Sequence, residues 1–203
     1  MAEQEKPTRQ RPYRMGRRRE RLEATRQHIA EAAFELHATV GPAQTSISAV
    51  AERAGVQRHT VYNHFPDMTS LIRACTEHGM RVTHIPEPGP WHEVDEPAAR
   101  LRIGLADLYA YYRANAQLLG NVLRDLPVVG IAGSEAFMER MGQLFGALAE
   151  GWPGEAATER LRMAAIGHAM AYETWRSLTG NGLSDDETGD LMLQLVTGVD
   201  GGV

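Results

Sequence analysis

Lysine is almost missing from this 203-residue chain, with Lys6 the only one. That excludes a phosphate-binding loop of the G-K-[ST] type and a Schiff-base lysine. Cysteine is as scarce. Cys75 stands alone, so no internal disulfide can form, and a reducing, cytoplasmic compartment is the expectation. No apolar run approaches the ~20 residues of a membrane span. The arginine-rich N-terminus leads into no apolar segment, so neither a secretory signal nor a membrane partner is expected. Paired cysteine ligands, an H-E-x-x-H motif and a nucleophile elbow are also lacking. The chain therefore does not read as an enzyme, and no catalytic residue, cofactor or metal site is expected. His84, His92, Glu93 and Asp95 are ligands by type, but their spacing matches no closed zinc pattern. The stretch 85–97 (IPEPGPWHEVDEP) reads instead as a solvated linker.

What is present is a chain that is 43% hydrophobic, enough for one or two small domains with a real core. Its charge is segregated. Residues 1–85 carry 13 basic and 9 acidic side chains, a net +4, while residues 86–203 carry 8 and 17, a net −9. A basic end that meets a polyanion and an acidic end that stays off it fit this division. Residues 1–20 are polar and hold Pro7, Pro12 and Gly16, so a disordered arm is expected. Its arginines Arg9, Arg11, Arg14, Arg17, Arg18 and Arg19 suit duplex phosphates, or a minor groove, better than a purely solubilising role.

Between Ser46 and Phe65 (SISAVAERAGVQRHTVYNHF) the spacing predicts two short helices and a tight turn. Ile47, Val50, Ala51 and Ala54 share one helical face. Ser46 precedes them as an N-cap, and Gly55 follows where positive φ is needed. A second helix starts near Gln57 and buries Val61 and Phe65. Its other face carries Arg58, His59, Thr60, Tyr62, Asn63 and His64. A helical hairpin with a solvated face would share the apolar spacing, but this outward face also suits the major groove of DNA.

The run A-G-V-x-x-x-T-V-Y-N-H-F, preceded by Thr45–Ser46–Ile47 and followed by Leu71, resembles the DNA-binding signature of TetR-family transcriptional regulators. Two positions depart from that pattern. Met68 stands where the family usually has a phosphate-contacting lysine, and Gln57 replaces the commoner serine cap. The resemblance implies an all-α fold. A three-helix helix-turn-helix domain over 21–68, behind the arm at 1–20, would join a larger ligand-binding and dimerisation domain over 69–203. DNA contacts would come from Ser46, Gln57, Arg58, His59, Thr60, Tyr62, Asn63 and His64, with Arg17, Arg18 and Arg19. Arg58 and His59 are the expected base readers.

The apolar periodicity predicts helices over about 20–38, 69–84, 97–114, 118–126, 134–151, 156–179 and from 184 to the end. Pro127 and Pro153–Gly154 act as breaks, and Ser184 with Glu187 reads as a capping box. His28 and His37 read as surface or edge residues of the first helix. The 156–179 helix should carry Leu161, Ala164, Ala165, His168, Tyr172, Trp175 and Leu178 on its inner stripe. By resemblance, the last two helices pair with a second copy, and the C-terminal helices enclose a pocket for a small apolar or aromatic effector. Tyr109, Tyr112, Leu123, Phe137, Met141, Phe145, Met163, His168 and Tyr172, with Met138 beside them, are its candidate lining. Such regulators are mostly repressors released by their ligand. A rival is a ligand-independent architectural DNA-binding protein whose C-terminal core is filled.

Overall fold

A computed structural model describes residues 11–201, with side chains over 16–199. The arm's first ten residues, with Arg9, lie outside that range. Among the described residues there are eleven α-helices and no strand.

Helix α1 spans Arg11–Thr39, so it begins well before the expected start near Glu20. Pro12 lies in the first turn, where a missing N–H costs nothing, and the arginines and glutamates after it are good helix formers. Residues 16–24 are all exposed, and Leu22, expected inside, is 51% exposed. The helix packs only from Thr25 onward. There Ile29, Ala33 and His37 recur at fourfold spacing on its buried side. His37 is therefore a core residue and not the surface residue expected.

A 3-10 turn (Pro42–Gln44) leads to α2 (Ile47–Arg53), α3 (Arg58–His64) and α4 (Met68–Val82). These helices and α1 enclose one core built on Ile29, Val50, Val61, Phe65 and Leu71. Ser46 caps α2 by accepting the Ala49 N–H at 3.1 Å. Asp67 caps α4 by accepting the Ser70 N–H at 2.7 Å, which holds its carboxyl below the usual range.

The remaining helices are α5 (Gly89–His92), α6 (Pro97–Ala114), α7 (Ala116–Val129), α8 (Glu135–Ala149), α9 (Ala156–Ala169), α10 (Tyr172–Gly180) and α11 (Asp185–Thr197). They form a second core around Trp91, Leu101, Leu105, Leu108, Leu144, Leu148, Ile166 and Val196. The 85–97 stretch is thus more than a solvated linker. Trp91 is 1% exposed, and its indole N–H donates to Asp107 Oδ2 at 2.8 Å.

Two expected helix signals act differently for local reasons. Pro127 does not stop α7, because it falls in the last turn and removes one hydrogen bond only. Ser134 does not cap α8 through its side chain. Glu135 does the related work by accepting the Gly133 N–H at 3.0 Å. Gly133 has φ +90, and a Cβ there would lie 2.7 Å from the Thr69 carbonyl. Only glycine lets the α7–α8 loop sit this close on the first turn of α4.

The segment expected as one helix over 156–179 is two. It breaks at Met170–Ala171, where Ala171 is extended. The carbonyls released by the break are taken by tyrosines of α6. Tyr109 Oη donates to Ala169 O at 2.8 Å and Tyr112 Oη to Met170 O at 2.5 Å. The buried stripe of α9 is Arg162, Ile166 and Ala169. Leu161, Ala164 and His168 consequently lie exposed instead of inside. The capping box at the start of α11 forms as expected, with Ser184 Oγ accepting the Glu187 N–H at 3.2 Å.

Candidate nucleic-acid interface and ligand cavity

The turn between α2 and α3 follows from its residues. Gly55 takes φ +64, and the Val56 N–H closes back on Ala51 O at 2.9 Å. Val61 and Phe65 are 0% and 1% exposed, which fixes the roll of α3. Arg58, His59, Tyr62 and Asn63 are thereby exposed, while Thr60 and His64 are half-buried. Ser46 is exposed with its hydroxyl engaged as the α2 cap. Gln57 is exposed and makes no side-chain cap bond. Arg17, Arg18 and Arg19 are exposed on the N-terminal part of α1.

One positioning residue was not singled out from the sequence. Arg26 of α1 lays its guanidinium 4.2 Å over the Phe65 ring and donates through Nη1 to His64 O at 2.6 Å. It clamps the C-terminal end of α3 by a cation–π contact and a charge-assisted hydrogen bond.

The second feature is a cavity of about 540 Å³. The expected residues Tyr112, Leu123, Phe137, Met141, Phe145 and Tyr172 line it, as does Met138, which is otherwise 51% exposed. Tyr109, Met163 and His168 do not. The Tyr109 hydroxyl points to the α9 carbonyl, Met163 packs half-buried in the body core, and His168 is exposed with Nδ1 3.3 Å from Thr174 Oγ1.

The cavity also has a side that sequence reasoning missed. Phe34 and His37 come from α1, and Ile72, Cys75, Thr76 and Gly79 from α4. The helices that hold the helix-turn-helix therefore form part of the cavity wall. The signal for His37 was its fourfold spacing from Ala33 and Ile29; for Cys75 it was the same spacing from Leu71.

His37 Nδ1 lies 3.3 Å from Cys75 Sγ. Burial pulls the imidazole down to about 4 against a smaller upward pull from Asp125. The thiol is pushed up to about 12, also by burial. Both groups are neutral near pH 7.

Helix α7 lines the cavity with Leu119, Val122, Leu123 and Leu126 and grips the reading unit with polar side chains. Asn121 Nδ2 donates to Ala38 O at 2.9 Å, and Arg124 Nη2 to Val40 O at 3.1 Å. Asp125 accepts the Ala43 N–H at 3.0 Å. The Arg124 guanidinium beside Asp125 holds that carboxyl below the usual range. Among the described residues, no group of three or more His, Cys, Asp or Glu is placed to hold a metal ion, and no helix is long and apolar enough to cross a membrane.

An all-α body is joined to a helix-turn-helix whose second helix presents an exposed polar face. Residues 29–75 match the family described as "Bacterial regulatory proteins, tetR family". A stretch of 59 residues is 36% identical to the HTH-type transcriptional regulator AcrR of Shigella flexneri. That likeness covers 29% of this chain and only 27% of that regulator.

Likenesses in fold extend over most of the chain. A TetR-like transcriptional regulator from Rhodococcus sp. RHA1 superposes with a TM-score of 0.60 at 20% identity, covering 88% of this chain and 97% of that one. RolR, solved in complex with resorcinol, gives 0.53 at 18% identity over 89% and 93% of the two chains.

Proposed function

We propose that this protein is a repressor. Two copies would bind a palindromic DNA operator through α3, and a small apolar or aromatic ligand in the cavity would release them. The observation that carries the ligand half is the shared wall. Side chains of α1 and α4 line the cavity and hold the reading unit. A ligand that repositions either helix repositions α3. Helix α4, running from the reading unit into the body, is the lever. The open volume argues against the rival of a filled architectural core.

Exposed apolar side chains on the last helices support pairing. Leu161 of α9 is 55% exposed, and Leu191 and Leu195 of α11 are 41% and 44%. One α3 contacts few base pairs, so two copies about one helical turn apart, roughly 34–36 Å, are needed for a specific site. Arg58 is assigned a bidentate bond to guanine and His59 a second base edge. Thr60, Tyr62 and His64 are assigned to phosphates, and Asn63 to either. Arg17, Arg18 and Arg19 add affinity that falls with salt. Ligand and DNA favour different spacings of the two α3 helices, so each weakens the other by one coupling factor. RolR's resorcinol complex is consistent with an aromatic effector in this fold.

Selection of bound duplexes from a random DNA pool tests the reading. The expected product is a palindrome with half-sites about one turn apart, and an asymmetric or unselected pool would overturn it. On the selected duplex, Arg58→Ala should weaken binding by about 1–3 kcal/mol and relax one base position, read by fluorescence anisotropy.

A further inference from the structure

We propose that His37, through Nε2, is the polar anchor of the cavity, and that the ligand it takes is neutral, largely apolar and carries a hydroxyl or carbonyl oxygen. This rests on the reading that the cavity holds a ligand.

Most of the cavity's polar groups are already committed. Tyr112 Oη donates to Met170 O, Tyr172 Oη to Ala116 O, and Thr83 Oγ1 to Gly79 O. Glu173 is the one charged residue of the wall, and Arg176 pairs with it at 2.8 Å. No arginine or lysine lines the cavity, so a carboxylate or phosphate would be desolvated there without a counter-charge.

His37 differs from the rest. It is 7% exposed, and Cys75 occupies only its Nδ1. Nε2 has no hydrogen-bond partner among the described residues, yet it is not one of the sealed, unpartnered polar atoms of the interior. His37 itself lines the cavity, so Nε2 is the ring nitrogen left for a ligand there, with Asp125 the charge within electrostatic reach. A neutral imidazole nitrogen there can pair with one oxygen. It donates if the thiol proton is directed at Nδ1, and accepts if Nδ1–H is directed at sulfur. The consequence is mechanical as well as chemical. His37 belongs to α1 and touches Cys75 of α4, so an oxygen bound to it pulls directly on the two helices that carry the reading unit.

Three bicyclic probes that share one apolar frame test the assignment: 2-naphthol, naphthalene and 2-naphthoate. Each is titrated into the full chain by calorimetry or probe fluorescence. The wild type should bind 2-naphthol about tenfold more tightly than 2-naphthoate, the factor that one hydrogen bond without a desolvated charge supplies. His37→Phe should lose about that factor for 2-naphthol and hold naphthalene within roughly twofold. His37→Gln, which keeps a polar group near the Nε2 position, should recover part of the loss. Far-ultraviolet circular dichroism checks that each variant is folded.

Equal 2-naphthol affinity in wild type and His37→Phe would overturn the anchor and leave the ligand cavity standing. Tighter binding of 2-naphthoate than of 2-naphthol would overturn the neutral ligand class. Failure of all three probes to bind the wild type would overturn the cavity reading and the anchor together.

Discussion

Two side chains of α1, Arg26 and His37, do more than their residue types announce. Arg26 spends its charge on a ring face and a helix-end carbonyl, where it holds α3 in place. His37 spends burial instead of charge. Its imidazole titrates near 4 when folded, against about 6.5 in an unfolded chain. Between those values the unfolded chain binds a proton that the folded chain refuses. Stability should therefore fall as pH drops from about 6.5 toward 4, by about 3 kcal/mol in all. Urea unfolding at a series of pH values reads this. His37→Phe should lack that part of the slope and keep the slope due to carboxylates. An unchanged slope in the variant would show that the imidazole remains solvated.

At the scale of elements, the break between α9 and α10 is held open by the hydroxyls of Tyr109 and Tyr112. Tyr109 is the cleaner probe because it does not line the cavity. Tyr109→Phe leaves the Ala169 carbonyl buried without its partner, so unfolding stability should fall by about 1–3 kcal/mol in denaturant melts.

The break also marks how far the sequence could be read. Val50, Ala51, Val61 and Phe65 repeat at helical spacing around Gly55, so the two short helices were legible from local pattern, while their DNA-reading role rested on the resemblance. The α9 stripe was misread by one residue. Leu161 and Ala164 look apolar but face out, while Arg162 lies inside at 1% exposure. No local rule anticipates a buried arginine, or carbonyls satisfied by tyrosines some 60 positions away. The cavity wall was legible where it is aromatic or methionine. It was hidden on the α1 and α4 side, where it depends on how the two cores meet.

For the whole molecule, charge and apolar surface point in different directions. The basic side chains concentrate toward the N-terminal helices, while Leu161, Leu191 and Leu195 leave an apolar face on the acidic body. If that face joins two copies, Leu191→Glu with Leu195→Glu should give a folded monomer on size-exclusion chromatography. Affinity for the selected palindrome should fall by roughly the 10³-fold or more that separates specific from non-specific binding. A double variant that still elutes as a dimer would move the interface elsewhere.

The shared wall between cavity and reading unit bears on how such a protein can be altered. Phe34 and Cys75 each belong to both compartments, so reshaping the cavity around a new effector also disturbs the resting angle of α3. Breeding a biosensor from this chain would then face a trade-off: changes there shift background expression before any inducer is added. Changes away from α1, α4 and α7, at Phe145, should retune chemical preference with far less leakage.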